Sequence, residues 1–249
     1  MSKRDYPWYD KQSSPLGGLD WLIILVALAA GFAVLALAPP TLAGVPPSLY
    51  GLLRAILFSV IPLAALAWRA GTCWRALFNG WKASYLWWGL LFGVINLAFT
   101  AVIGSVAIRV LDLAANPVVG DLAGGEIPGG PAMFYLTTGL QLFGEEVITL
   151  LPFLFLLWLG VQHLSLSRTA AVIIAWVGSA VLFGAIHLPT YDWNVVQALL
   201  LIGPVRLVLT LAYMVTKSIW ASTIAHILND WTMFTFAMVM GGMAAAGGG

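Results

Sequence analysis

Two adjacent acidic residues, Glu145 and Glu146, lie in the middle of an otherwise apolar stretch of the sequence. Ionisable groups in lipid are costly and usually serve a function. Two neighbouring carboxylates in a medium of low dielectric repel each other, so we expect one to be protonated, or one to be paired while the other faces water. A buried carboxylate can act as a general base near neutral pH. The structural alternative is a pair that fixes helix packing through hydrogen bonds or an ion pair with Arg206 or Arg109.

Two histidines in later apolar segments add to the glutamate pair. His187 closes one segment, and His226 lies in the last one, followed by Asn229 and Asp230. On a helix, His226 and Asp230 share a face, so the carboxylate can orient the imidazole. A single buried histidine is usually a packing residue, and His163 in a short polar loop is simply solvated. Two histidines and three carboxylates on three separate segments are harder to explain by packing.

Helices that cross a membrane must position these residues. Of the 249 residues, 61% are hydrophobic and 8% are charged, and the mean hydropathy is +0.95. Soluble domains are roughly 45–50% apolar and 25% charged, so this chain cannot keep an aqueous surface. The alternation of a membrane barrel is absent. We predict an all-α, polytopic transmembrane bundle of about seven spans, in a range of six to eight, because lipid requires each segment to satisfy its own backbone. A net charge of +1 gives no reason to expect a nucleic-acid partner.

The predicted spans lie near residues 19–38, 50–68, 84–113, 132–160, 169–189, 195–216 and 218–240. They form one transmembrane domain over 19–240, between a polar N-terminal tail, 1–18, and a flexible C-terminal tail, 241–249. No small-residue cleavage site follows the first span, so we expect it to be retained.

The positive charges orient the bundle. Outside the spans, lysines and arginines fall in the N-terminal tail or in alternate loops, and the loops 39–49, 114–131 and 190–194 contain none. The positive-inside rule then predicts a cytoplasmic N-terminus, in what we expect to be a bacterial cytoplasmic membrane. Three arginines, Arg54, Arg109 and Arg206, remain inside predicted spans.

The order and spacing of the polar residues resemble the CPBP family of intramembrane proteases, which includes Rce1-type CAAX prenyl endopeptidases, bacteriocin-processing enzymes and Abi proteins. That family is marked by EExxxR, FxxxH and HxxxN or HxxxD on successive core helices. Glu145 and Glu146 match the start of the first motif, Phe183 to His187 matches the second, and the segment from His226 to Asp230 matches the third. The resemblance covers residues 131–235.

One position departs from the family pattern. The first motif should end in arginine, and this chain has Leu150 instead. If that arginine pairs with the second glutamate, Glu146 must be neutral here or must find another cation. Arg206, in an apolar span, is the candidate. The departure also leaves room for a non-catalytic member of the family.

The resemblance implies an endopeptidase that acts on a membrane-associated or exported polypeptide. In that family, Glu145 would be the general base for a water, and Glu146 would support it. His187 would hold the water or donate to the tetrahedral intermediate, and His226, with Asn229 or Asp230, would bind the oxyanion. No cofactor is implied.

Three alternatives remain open. Glu145, His187 and His226 could bind zinc with an open position, although the HExxH spacing is absent. A non-catalytic scaffold or immunity-type protein could use the same bundle to bind a membrane protein partner, and a proton-coupled transporter could also use buried Glu and His.

The depths of Glu145, His187 and His226 along their predicted spans favour a site that is reached from the outer leaflet.

Overall fold

The computed structural model describes residues 5–10, 15–127 and 129–247, and the side chains as far as residue 244. The α-helices are α1 (Gly18–Ala36), α2 (Pro47–Ala70), α3 (Ser84–Val110), α4 (Pro117–Ala123), α5 (Gly130–Gln162), α6 (Arg168–Ile186), α7 (Val195–Gln197), α8 (Gly203–Thr216) and α9 (Ile219–Gly247). 3-10 turns follow α2 at Gly71–Leu77 and α6 at Pro189–Tyr191. The described residues contain no strand, so the predicted all-α class is confirmed.

Six helical segments are long and apolar enough to cross a membrane: α1, α2 with its 3-10 extension, α3, α5, α6, and the segment Val195–Thr216. In that last segment a π-helical turn, Ala198–Ile202, joins α7 to α8. The seventh predicted span coincides with α9, whose 29 residues are long enough to cross but include His226, Asn229 and Asp230. The chain is therefore an integral membrane protein with a polytopic helical bundle, within the predicted range of spans.

Helix α5 is the centre of the bundle. Of its apolar window, 72% is buried, against 39% or less in the other five segments. It packs on α2, α6 and α9. On the outside of the bundle, α1 packs against α2, whereas α3 packs against α8 and α9. Its 33 residues extend about 50 Å at 1.5 Å per residue, and Glu145 and Glu146 lie near its middle. The glutamates thus occupy the most enclosed of these six segments.

Small residues allow the helices to approach closely. A Cβ atom on Gly89 of α3 would lie 2.5 Å from Cγ2 of Ile224 on α9, and one on Gly93 would lie 2.7 Å from Cδ2 of Leu228. This pair, four residues apart, has the spacing of small residues at membrane helix interfaces. The contact positions the part of α9 that carries His226.

The predicted polar tail is partly packed against the bundle. Tyr6 and Trp8 are buried in the main apolar cluster. Asp5 forms an ion pair with Arg168, and Nζ of Lys217 lies 4.0 Å from the centroid of the Tyr6 ring. Burial opposes ionisation of Asp5, but the hydrogen bonds from Arg168 and Tyr9 outweigh it and lower its pKa to about 2. Aromatic side chains in a polar sequence therefore anchor this segment.

The C-terminal end also differs from the expectation of a flexible tail from residue 241. Helix α9 continues to Gly247, so most of that segment is helical. Residues 248–249, and 1–4 and 11–14 of the predicted N-terminal tail, lie outside the described residues.

The close contact between α3 and α9 predicts a stability effect. Gly89→Leu should lower the free energy of unfolding by about 1–3 kcal/mol, because the side chain must displace the stiff, β-branched Ile224. Thermal unfolding of the purified protein in detergent measures this. Gly104→Leu on the same helix is the matched control, since a Cβ there meets nothing within 4 Å. Equal thermal midpoints for the two variants would contradict the packing described.

Candidate active site

A fully buried ion pair joins α5 to α8. Nη1 of Arg206 lies 2.5 Å from Oε1 of Glu146, and Nη2 lies 2.7 Å from Oε2. Both side chains are 0% exposed, and the guanidinium also covers the ring of Phe183 at 5.0 Å. This two-point geometry is the strongest that a guanidinium and a carboxylate can form. Arg206 is thus the cation that Glu146 meets in this chain.

The imidazole of His226 completes this buried cluster. Its Nδ1 lies 2.8 Å from Oε1 of Glu146, and Nη1 of Arg206 lies 3.4 Å from the same nitrogen. A carboxylate paired with a guanidinium only accepts hydrogen bonds, so Nδ1 of His226 carries a hydrogen and donates it to Glu146. Oδ1 of Asp230 lies 3.8 Å from Nε2 at the other side of the ring, within ion-pair range but beyond hydrogen-bond distance. The hydrogen bond that orients the imidazole is therefore the one to Glu146, and Asp230 faces the opposite nitrogen.

Glu145 has different surroundings from its neighbour. Nε2 of Gln141 donates to its Oε1 at 3.1 Å, and its Oε2 lies 3.7 Å from Nε2 of His226. Its residue exposure is 9%, whereas that of Glu146 is 0%. Two consecutive residues of a helix point about 100° apart, since the helix has 3.6 residues per turn. Glu146 therefore faces the ion-pair cluster while Glu145 faces a cavity.

That cavity has a volume of about 520 Å³ and opens where α1 ends and α2 begins. Its walls include Glu145 and Gln141 from α5, His187 from the end of α6, and Arg54 and Phe58 from α2. This end of the bundle is opposite the positively charged loops. The predicted orientation places it on the outer side, as the depth of the residues also suggested.

His187 lies in the wall of the same cavity. Its Nδ1 is 2.8 Å from the carbonyl oxygen of Phe183, one turn earlier in α6. A carbonyl oxygen only accepts, so Nδ1 carries the hydrogen and Nε2 of the neutral ring is an acceptor. The ring of Phe183 packs near both histidines, and its centroid lies 4.5 Å from that of His187 and 6.2 Å from that of His226. Phe183 thereby holds both imidazoles in place.

A chain of amides supports the far side of the site. Nδ2 of Asn96, on α3, donates to Oδ1 of Asn229 at 3.0 Å, and Nδ2 of Asn229 donates to Oδ1 of Asp230 at 2.8 Å. Asn96 and Asn229 are both buried. Asn229 therefore uses both ends of its amide within the protein, and it acts here to position Asp230.

Two contacts of the site were not predicted from the sequence. Gln141 could have been found, because it precedes Glu145 by four residues and so shares its helical face. Asn96 could have been flagged as an isolated amide in an apolar span. Its partner on α9 depends on how α3 packs, which no local pattern shows.

The other predicted residues lie apart from the cluster. Arg109 is exposed near the end of α3. Leu150 is fully buried in the main apolar cluster. His163 follows α5 and packs against the ring of Trp158, with the centroids 4.6 Å apart. Of the two arginines proposed as partners of the glutamate pair, Arg206 is therefore the one that forms an ion pair, with Glu146.

The described residues also bear on the zinc alternative. Within residues 5–10, 15–127 and 129–247, no group of three or more His, Cys, Asp or Glu side chains is arranged to hold a metal ion. Nδ1 of His226 and Nδ1 of His187 are both bound to protein oxygens. Zinc binding by Glu145, His187 and His226 stays an alternative to the prediction of no cofactor.

Comparison with known proteins finds a family match for part of this chain. Residues 128–232 match the family described as type II CAAX prenyl endopeptidase, Rce1-like. The match includes every residue of the cluster on α5, α6, α8 and α9, and it confirms the resemblance to the CPBP family that the motifs indicated over 131–235. No curated protein and no solved structure matches the chain.

The buried ion pair predicts opposite effects for a single and a double substitution. Arg206→Leu should destabilise the protein by about 3–5 kcal/mol, because it leaves the Glu146 carboxylate buried without a cation. Arg206→Leu combined with Glu146→Leu should recover most of that loss. Thermal midpoints in detergent test this, and a double variant no more stable than the single one would argue against the pairing.

The position of the cavity predicts its accessibility. Thr190 is exposed at the cavity, so Thr190→Cys in a Cys73→Ser background should react with a membrane-impermeant thiol reagent added to intact cells. The wild-type protein is the control, because its exposed Cys73 lies at the opposite end of the bundle and should react only after permeabilisation. The reverse pattern would show that the orientation is wrong.

Proposed function

We propose that this protein is an intramembrane endopeptidase that hydrolyses a peptide bond of a membrane-associated or exported polypeptide, in a bacterial cytoplasmic membrane. Water activated by Glu145 is the nucleophile. The observation that carries the proposal is the difference between the two adjacent glutamates. Glu146 is fully buried and tied to Arg206 and His226, while Glu145 faces a cavity of about 520 Å³ that also contains His187.

Glu145 is suited to be the general base. Gln141 fixes Oε1, which leaves Oε2 to accept a proton from a water on the cavity side. His187, with Nδ1–H bound to the Phe183 carbonyl, presents Nε2 as a second acceptor for that water. A water that donates one hydrogen to each of these acceptors keeps its lone pairs free, and one of them can be directed at the substrate carbonyl carbon.

His226 is placed to stabilise the oxyanion. Its Nδ1–H is bound to Glu146, so Nε2 can donate when the ring is an imidazolium. Nε2 is 3.7 Å from Oε2 of Glu145, so the base and the donor can each reach one oxygen of the same tetrahedral carbon. Asn229 and Asp230 support this geometry through their own hydrogen bond.

The reaction then balances without a cofactor. The water oxygen forms a bond to the carbonyl carbon as its proton moves to Glu145. Collapse of the tetrahedral intermediate breaks the C–N bond, and Glu145 returns the proton to the leaving nitrogen. The products are a new carboxylate terminus and a new amine terminus, and the glutamate is regenerated.

Arg206 weakens the case for the scaffold alternative. Leu150 in place of the expected arginine favours that alternative, because it would leave Glu146 without a cation. In this chain the cation comes from α8, Glu145, Glu146 and His226 of the first and third motifs form one cluster, and His187 of the second motif lines the adjoining cavity. The catalytic proposal is therefore the one that accounts for a charged cluster next to a cavity.

Loss of processed peptides tests the proposal. Glu145→Gln should lower cleavage at least about 100-fold, since general-base catalysis contributes factors of this order. The measurement compares peptide termini of membrane and surface proteins from cells with the wild type, the variant and no protein. Glu126→Gln, at an exposed glutamate in the loop before α5, is the matched control and should keep the wild-type termini.

Protein levels of all variants must be equal. If no terminus depends on Glu145 while a membrane protein still requires the presence of the chain, the bundle serves as a binding scaffold and the proposed chemistry fails.

A further inference from the structure

Arg54 is a cation in the wall of the Glu145 cavity that the chemistry above does not use. It lies on α2, in the part of the chain before the family match. Arginine inside a membrane bundle is costly, and its presence there usually marks a functional site. The lining of the cavity includes this one arginine, one glutamate, Glu145, and one histidine, His187.

The contacts of Arg54 hold it in place without neutralising it. Its Nε donates to the carbonyl oxygen of Val34 at 3.2 Å, Nη2 donates to that of Leu35, and the guanidinium lies 5.7 Å from the ring centroid of Tyr50. Two of its five N–H groups are used in these bonds. Across residues 5–10, 15–127 and 129–247, no carboxylate forms an ion pair with it.

Such a group is complementary to a carboxylate. The planar guanidinium presents paired donors that match the two oxygens, and a half-buried position strengthens the attraction relative to bulk water. We propose that Arg54 binds a carboxylate of the polypeptide substrate, either its C-terminal carboxylate or an Asp or Glu side chain. This assignment of specificity rests on the proposed endopeptidase function.

Helix geometry gives the distance from the scissile bond. The ring of Phe58 packs against Gly144, where a Cβ would lie 2.4 Å from Cδ1 of the ring, and it therefore lies at the level of Glu145. Arg54 precedes Phe58 by four residues, or about 6 Å along α2. An extended peptide rises about 3.3 Å per residue, so the bound carboxylate should lie about two residues from the cleaved bond.

A purely structural role for Arg54 would be to cap the carbonyls at the end of α1. Arg54→Gln separates the two roles, because the glutamine amide can still donate to a carbonyl but has no charge. Arg54→Lys keeps the charge and loses the paired donors. Arg109→Gln is the matched control, since it removes an exposed arginine near the end of α3, at the same end of the bundle but outside the cavity lining.

The experiment starts from the cleavage sites that disappear in Glu145→Gln cells. We expect a carboxylate within about three residues of each of these bonds. Arg54→Gln should reduce their cleavage about 10- to 100-fold, the range for a charge-assisted hydrogen bond, and Arg109→Gln should leave it unchanged. The purified enzyme is then assayed with synthetic peptides that contain one such site. Each peptide is made in three forms: with a free C-terminal carboxylate, with a C-terminal amide, and with Glu or Asp replaced by Gln or Asn.

Each peptide pair identifies the source of the carboxylate. The wild type should prefer the charged form through a lower KM, and Arg54→Gln should cleave both forms equally. If the amidated peptide has a higher KM than the free acid, Arg54 binds the C-terminal carboxylate. If the peptide with Gln or Asn has a higher KM than the one with Glu or Asp, Arg54 binds that side chain. Should Arg54→Gln fail to fold, a preference in the wild type that weakens in Arg54→Lys still supports the proposal.

The two proposals fail in different ways. Absence of any terminus that depends on Glu145 overturns the proposed function, and the role of Arg54 with it. Glu145-dependent sites without a nearby carboxylate, or an Arg54→Gln variant with the wild-type preference, overturn only the role of Arg54.

Discussion

The buried pair of Arg206 and Glu146 is the interaction on which the site depends. A guanidinium and a carboxylate that are both 0% exposed depend on partners within the protein, and here each is the other's counter-ion. Their bonds fix α8 against α5, and the hydrogen bond from Nδ1 of His226 to Glu146 adds α9. Glu146 is thereby fully paired inside the bundle, and Glu145, one residue earlier, faces the cavity.

The part of the chain before the family match also builds the site. The end of α1 and the Arg54 face of α2 close the cavity, and Asn96 of α3 holds Asn229. Gly89 and Gly93 let α3 lie directly against α9, which places that amide within reach. The motif residues alone do not enclose this cavity, so under the proposed function the preceding helices help to determine which polypeptide can bind.

Sequence patterns predicted the parts of this protein that depend on local chemistry. Apolar segments predicted the helices, and the motif order with its missing arginine at Leu150 pointed to Arg206 as the partner of Glu146. Asp230 shows the limit of that reasoning: its spacing from His226 places both on one face, yet Glu146 on another helix takes the imidazole hydrogen. Asn96 and the packed Tyr6 and Trp8 likewise depend on contacts between distant segments, which spacing along one helix cannot show.

The most direct test of the division between the two glutamates is the thermal midpoint of Glu146→Gln measured beside that of Glu145→Gln. Glu146→Gln leaves Arg206 buried without its anion, so a loss of about 3–5 kcal/mol, or a midpoint lower by roughly 6 °C or more, is expected. Glu145→Gln should unfold within about 2 °C of the wild type, since an amide can keep the contact with Gln141. Equal losses in the two variants, or a larger loss for Glu145→Gln, would contradict the account.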